Sequence, residues 1–401
     1  MVILTMLLSA QKLKNKIFKD RYNSIIFKKG RGKELYLVGG YVRNILKGVI
    51  SQDRDYIFIG STRSFVNEIR KIIGGTVVKF KKGEMIRLAL KDGVTFDFSR
   101  PMGTLEEDLS KRDFTINAIA WSPDTGIIDP CEGLEDIKNR KIRSLSEESL
   151  IADPLRILRA YRFAAELNGS IENNTRKAIK MLHNRIKKVS PERITFEIFN
   201  LLNSEHPAKY LNMALSDGLL NAILSISDKT LGRNVKAISR LEAKINKLPL
   251  KVKVILEKIF SQNLTYKGLL CLELLLRQDG SFVPDRIPKI RMSNNIIKRI
   301  TLSHEGIKEF KRDKLFDIFL KSKGAAMDIL ILKGRLDLLR EYERFKMIWK
   351  KGLLSSEEVS SVTGVKAGPK LGRIITELKK AQFEGRLRSG SDAVRFLSYF
   401  T

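Results

Sequence analysis

Cysteine is nearly absent from this chain of 401 residues: only Cys131 and Cys271 occur, with no metal-ligand spacing between them. That argues against a zinc site or a disulfide framework and fits a reducing cytoplasm. Histidine is as scarce, with His183, His206 and His304 scattered singly, so a histidine-based triad or metal centre is not expected. No run approaches the roughly 20 apolar residues needed to span a bilayer, and no membrane association is inferred. The apolar opening Met1–Leu8 lacks a basic leader and a small-residue cleavage site, so it reads as part of an amphipathic helix. Acidic residues are also short: 45 Asp and Glu stand against 75 Lys and Arg, a net charge of +30. A lysine-rich thermophilic surface would carry both signs in similar amounts. A one-signed excess self-repels unless a polyanion neutralises it, which points to nucleic acid.

What is present divides into a strand-rich first third and a helical remainder. Short apolar or alternating runs at Leu35–Val38, Tyr56–Ile59, Thr76–Lys79, Ile86–Leu90 and Thr95–Ser99 end in turn residues and read as strands. Tyr41–Leu46 and Phe65–Ile73 between them have helical spacing. After about Arg143 the strands stop, and Pro154–Leu167, Pro191–Leu202 and the segments from Lys209 onward read as helices. The expected division is an α/β head with a basic amino-terminal helix at 1–143, a helical neck at 144–204, a helical body at 205–349 and a helical tail at 350–401.

The chemistry sits in the first half. Leu37-Val38-Gly39-Gly40-Tyr41-Val42-Arg43 ends a strand in two glycines and starts a helix. Glycine lets the backbone approach a phosphate, helix N–H groups favour anions, and Arg43 adds a charged donor. Asp53-Arg54-Asp55 follows, and on an extended chain its two carboxylates share one side. Such oxygen ligands suit Mg²⁺, which shares its shell with waters and substrate phosphates. Asp97, between Phe96 and Phe98, is a third carboxylate on the face turned from the core. Three acids around two Mg²⁺ ions can activate a 3′-hydroxyl and stabilise departing pyrophosphate.

Together these features resemble the polymerase-β type of nucleotidyltransferase head and, more specifically, the class II tRNA nucleotidyltransferases, the family of CCA-adding enzymes and bacterial poly(A) polymerases. Lys111-Arg112-Asp113-Phe114-Thr115-Ile116-Asn117-Ala118 matches the family's second motif. The match implies that Arg112 and Asp113 hold the ribose 2′-hydroxyl region and that Asn117 lies near the triphosphate. Ile128-Asp129-Pro130 with Gly133 and Asp136 resembles the hinge between head and neck. Asp153-Pro154-Leu155-Arg156-Ile157-Leu158-Arg159-Ala160-Tyr161-Arg162-Phe163 resembles the base-selecting motif. Asp153 can accept from the exocyclic amine of cytosine or adenine while Arg156 donates to the ring nitrogen. Arg159 and Arg162 share the arginine-bearing face. Uracil or guanine would set a carbonyl against the carboxylate, at a cost of about 1–3 kcal/mol. Ser190-Pro191-Glu192-Arg193-Ile194-Thr195-Phe196-Glu197 matches the last motif, and Glu192, Arg193 and Glu197 read as structural braces of the neck.

The segment Gly364–Gly372 and the helix to Gly385 resemble the tail that grips the tRNA elbow in these enzymes. The resemblance implies Mg²⁺ as cofactor, the 3′ end and elbow of tRNA as partner, and CTP, with ATP as a second candidate, as donor; no protein partner is inferred.

Three departures stand out. Asn44 replaces a frequent aspartate near the anion site, and Ala152 replaces a glutamate before Asp153. Arg100-Pro101-Met102-Gly103 makes a tight turn where relatives that add all of CCA carry a flexible loop. Absence of that loop marks enzymes that stop after two cytidines, so a CC-adding enzyme is the expectation. A full CCA-adding enzyme, a poly(A) polymerase and an inactive RNA-binding protein are the alternatives. Phe58-Ile59-Gly60-Ser61-Thr62-Arg63 lacks the basic-aromatic signature of the poly(A) polymerases, and retention of all three acids argues against an inactive binder.

Overall fold

The computed structural model describes residues 10–49, 51–80, 85–278, 281–282, 287 and 289–400. The amphipathic reading of Met1–Leu8 falls outside them. The chain divides into two compact units, Met1–Ser225 and Ile226–Thr401.

The first unit is built on a seven-stranded sheet in the order β3-β4-β5-β2-β1-β6-β7. Its strands are β1 (Leu35–Val38), β2 (Asp53–Phe58), β3 (Thr76–Lys79), β4 (Met85–Ala89), β5 (Thr95–Ser99), β6 (Ala120–Ser122) and β7 (Gly126–Ile128). β2 and β5 run parallel, and every other neighbouring pair is antiparallel. Helices α1 (Ala10–Lys19), α2 (Arg21–Lys29), α3 (Gly40–Leu46), α4 (Thr62–Ile73), α5 (Leu105–Ser110) and α6 (Gly133–Lys138) accompany it. Four helices that follow bear on the site: α7 (Glu147–Ala152), α8 (Leu155–Leu167), α9 (Asn173–Leu182) and α10 (Pro191–Asn203).

Strand β2 shows how the sequence sets the two faces. Its period of two sends Arg54, Tyr56 and Phe58 to one side. Tyr56 stacks on Phe98 at 5.0 Å, and Phe58 stacks on Phe65 of α4 at 4.4 Å. Arg54, only 4% exposed, meets the carboxylate of Asp20, which also caps α2 through the Tyr22 and Asn23 amides. The other side carries Asp53, Asp55 and Ile57. Ile57 joins Leu105 and Leu109 of α5 in an apolar cluster, so that end of the strand is sealed. The carboxylate end stays open.

Strands do not stop at Arg143 as the sequence reading expects. Lys141–Ile142 pairs in parallel with Ser170–Ile171, and Ile259–Ser261 with Leu264–Thr265 forms a small hairpin. These pairs are too short to leave an alternating pattern. β6 and β7 were also missed, because Ala120, Trp121 and Ser122 are all buried and show no alternation.

Among its described residues the regular structure of the second unit is helical apart from that hairpin and an isolated bridge between Gln278 and Ser281. Phe316, Phe319, Tyr342 and Phe345 anchor one apolar cluster, and Leu371, Ile374, Leu378 and Leu397 anchor another. Among the described residues no helix is long and apolar enough to cross a membrane.

Candidate active site

A cavity of about 470 Å³ opens in the first unit. It is lined by every site residue singled out from the sequence except Asp97: Gly39, Gly40, Arg43, Asp53, Asp55, Arg112, Asp113, Asn117, Asp153, Arg156, Arg159 and Arg162. Residues more than a hundred positions apart thus converge, from the β1–α3 turn, from β2, from the segment after α5 and from α8.

The glycine turn is shaped by close approach. Gly39 has φ +70°, and a Cβ there would stand 2.9 Å from Arg112 Nη1 and 3.5 Å from Asp55 Oδ2. Any side chain would therefore be strained and would push apart the arginine and the acid. Arg43, in the first turn of α3, is buried, donates to the Asn117 side chain, and lies 3.5 Å from Glu166. Burial lowers its pKa from the ordinary guanidinium value, with Glu166 opposing. Asn44 lines the same cavity and accepts from Arg43 at 3.3 Å.

At the acidic end Asp53 accepts from Thr95 Oγ1 at 2.5 Å. Asp55 is pushed up to about 6, first by burial and then by Asp97, with Arg112 pulling down. The parallel register pairs Asp55 with Asp97, so the third carboxylate lies beside the first pair. It is not free, however. Arg87 on β4 forks it, with Nε 2.7 Å and Nη2 2.6 Å from the two oxygens. Sequence spacing could not show this cross-strand partner. Among the described residues no three acidic, histidine or cysteine side chains form a ready metal cage. A pair of carboxylates is nevertheless a fitting donor set for Mg²⁺, which keeps waters and takes phosphate oxygens for the rest of its shell. Asp53 and Asp55 supply that pair.

The second motif is tied to α8. Asp113 is buried, which alone would raise its pKa. The Arg159 guanidinium at 2.7 Å and hydrogen bonds from the Asn117 side chain and the Phe114 amide outweigh burial and hold it below the usual carboxylate range. Arg159 and Arg162 both reach Glu197 of α10, at 3.3 Å and 2.5 Å, and Arg162 also pairs with Glu166 one turn on. Phe163 lies under three guanidinium groups, those of Arg43, Arg159 and Arg162, at 4.7, 5.1 and 3.9 Å.

Asp153 and Arg156, the pair expected to select the base, are held from two directions. Arg156 Nη1 donates to the Lys111 and Arg112 carbonyls and to Ser149 Oγ. Asp153 Oδ2 accepts from Arg193 Nη2 at 2.7 Å, and Oδ1 accepts from the Leu155 amide. Two residues read from sequence as braces of the neck, Arg193 and Glu197, therefore touch site residues directly. Glu166 was overlooked, although its position four residues after Arg162 was a legible signal. The links to Glu197 and Arg193 cross 35 and 40 residues and leave none.

With this geometry in place, comparison with known proteins is decisive. The family model "Poly A polymerase head domain" matches residues 35–143, and "Probable RNA and SrmB-binding site of polymerase A" matches residues 170–230. The CC-adding tRNA nucleotidyltransferase of Synechocystis is 26% identical over 90% of this chain and 92% of its own length. That of Geobacter sulfurreducens is 29% identical over 90% and 91%. Two stretches of the chain thus match the poly(A) polymerase head and its RNA-binding region, and the relatives similar to it along nine-tenths of its length are tRNA nucleotidyltransferases. Among solved structures, the Thermotoga maritima CCA-adding enzyme complexed with tRNA superposes with a TM-score of 0.73, covering 97% of this chain and 98% of that one. At 21% identity that likeness speaks for the fold: a polymerase-β-like head followed by a largely helical remainder. The protein is an enzyme, and the cavity is its candidate active site.

Proposed function

We propose that this enzyme adds two CMP residues from CTP to the 3′ end of tRNA and stops there. The observation that carries the CC-only reading is the connection after β5. Only residues 100–104 separate Ser99 from α5, with Gly103 at φ +95° and Thr104 already serving as the cap of a capping box. So short a link, pinned at its far end, cannot act as a lever that reshapes the pocket for ATP. CC-adding and CCA-adding relatives alike match about nine-tenths of the chain, so the CC-only choice is carried by this connection alone.

In this reaction the terminal 3′-oxygen of the RNA forms a bond to the α-phosphorus of CTP, the α–β phosphoanhydride bond breaks, and pyrophosphate leaves. Asp53 and Asp55 would hold Mg²⁺, which supplies acidity to the attacking hydroxyl and charge to the leaving group when bound. Gly39 and Gly40 give the triphosphate its backbone approach, with Arg43 and Asn117 beside it. Asp113 and Arg112 face the ribose. Asp97, gripped by Arg87, adds negative charge beside Asp55. Asp153 accepts from the cytosine amine and Arg156 donates to N3 and O2. Arg193 keeps the Asp153 carboxylate aimed, and Glu197 keeps Arg159 and Arg162 on the cavity wall. Uracil would turn its O4 carbonyl against Asp153.

We keep the four-part division at 143, 204 and 349 as a functional assignment, with the tail taking the tRNA elbow, and place the enzyme in the cytoplasm with its substrate. The test is incubation with a tRNA lacking its 3′ terminus, Mg²⁺, and CTP or ATP. Two C additions and no A are expected. Addition of a terminal A after two Cs would make it a full CCA-adding enzyme, long A tails a poly(A) polymerase, and no product an RNA binder.

A further inference from the structure

Outside the active site, a second cavity of about 630 Å³ lies in the second unit, and its chemistry differs from that of the first. The helix Leu339–Lys350 places Tyr342, Phe345, Lys346 and Trp349 at i, i+3, i+4 and i+7, along one face. Tyr342 and Phe345 belong to the buried aromatic cluster and form the floor with Phe319. Trp349 stands at the mouth, 41% exposed, stacked on Phe345 at 5.9 Å and 15°. The mouth is otherwise lysine: Lys323, Lys346 and Lys350 line it, and the Lys379 ammonium lies 5.0 Å from the Trp349 ring centre. Lys346 is paired with Glu343 at 2.7 Å. Among the described residues, Lys323 and Lys350 are exposed and make no ion pair.

Two observations suggest that this arrangement does more than close a core. An indole at a cavity mouth is held out where folding alone would turn it in. Lys323 ends the helix Leu315–Ser322 with φ +51° and ψ −122°, a conformation costly for a residue with a Cβ and typical of ligand clamps. An aromatic surface with two lysines at its rim, Lys323 and Lys350, that make no ion pair among the described residues fits a π-face that carries phosphate.

We propose that this pocket binds an unpaired nucleobase of an RNA strand, with the base packed on Trp349 and the flanking phosphates on Lys323, Lys346 and Lys350. The entering base displaces the Lys379 ammonium from the ring towards phosphate. The pocket is sequence-tolerant, because every base has a π-face and the walls are chiefly aromatic rings and lysine side chains, which stack on a base or meet phosphate. This inference rests on the reading that the enzyme acts on RNA.

The chain offers its own probe. It has two tryptophans, and the other, Trp121, is 2% exposed beneath the sheet of the first unit. Titration of the full-length enzyme with a single-stranded oligoribocytidylate should quench the Trp349 emission saturably, and equally in a Trp121→Phe background. Trp349→Ala should weaken oligonucleotide binding roughly tenfold, the usual scale for losing one base–aromatic stack, while Trp349→Phe stays within about twofold of wild type. The KM for 3′-truncated tRNA should rise in parallel, with kcat and the KM for CTP unchanged. Should Trp349→Ala unfold, Lys323→Gln with Lys350→Gln, both exposed, should give a three- to tenfold loss on the same titration. An abasic oligonucleotide should bind without the quench. Equal quenching by the abasic strand, no quench at all, or unaltered affinity in Trp349→Ala or in the lysine pair overturns the proposal. Displacement of the oligonucleotide by an acidic apolar peptide but not by RNA would overturn it too. If the wild-type enzyme transfers no nucleotide yet the quench is seen, the catalytic reading fails and the pocket stands.

Discussion

Strand β2 and helix α8 each crowd three charges into a few residues, yet manage them in opposite ways. On β2 the period of two splits the triplet: Asp53 and Asp55 face the cavity, and Arg54 is buried against Asp20 among the rings of Tyr22, Tyr41 and Phe96. On α8 the three arginines stay together and are each bound to distant groups, Arg156 to the second motif, Arg159 and Arg162 to Asp113 and Glu197. The strand separates opposite charges through its own geometry. The helix keeps like charges together because the tertiary structure brings oxygens to them, carbonyls to Arg156 and the acids Asp113 and Glu197 to Arg159 and Arg162, with Glu166 as a local partner of Arg162. Alternation is thus a local solution, and the arginine face is a global one.

The comparison is broken most severely on the strand. Asp53→Asn or Asp55→Asn should lower nucleotide transfer by about 10³-fold or more if the pair holds the cation as proposed, while tRNA affinity stays within about twofold. A gel-based addition assay paired with filter binding checks this, and weakened binding with normal turnover would contradict the assignment.

On the helix the sharpest cut is Glu197→Ala. It leaves two buried or half-buried guanidinium groups without their shared acid, and breaking such a pair from one side costs about 3–5 kcal/mol. Thermal unfolding of the variant should show this loss. A melting point equal to that of wild type would mean that the arginines do not depend on α10.

Arg156→Ala should act on selectivity, not on chemistry. Discrimination between CTP and UTP should fall by about 1–3 kcal/mol, read as the ratio of kcat/KM values. An unchanged ratio would remove Arg156 from base selection. Arg193→Gln should give a smaller effect in the same direction, since it loosens Asp153 without deleting it.

The smallest effect contrasts this site with the second unit. Glu273 is buried there, and burial pushes its carboxyl up to about 7 even though Arg277 lies 2.8 Å away. The folded protein therefore holds a proton that the unfolded chain releases near 4.5. This stabilisation is complete below the unfolded value and is lost as pH rises through about 7, with a slope of at most about 1.4 kcal/mol per pH unit. Glu273→Gln should flatten the decline in denaturant stability between about pH 5 and 7. A decline of the same slope in the variant would assign it to another group.

The glycine turn and the paired aspartates were legible because each is a short segment whose spacing and local geometry expose its chemistry, and the Lys111–Ala118 motif was legible only through its resemblance to the family's. The partners of Asp97, Asp153 and Arg162 were not. Arg87 reaches Asp97 through the antiparallel register of β4 and β5, and Arg193 and Glu197 reach α8 only because α10 packs along it. Trp349 was not singled out from the sequence, since periodicity reports which face a residue occupies but not whether that face is covered.

The sequence by itself determined which residues carry charge and phosphate-binding backbone, and the two periods, 2 and 3.6, that sort them onto faces. Only the tertiary structure decided which of those charges are matched and which are left for a ligand. Pairing depends on distance through space, and between residues far apart in the chain that distance is set by how the elements pack.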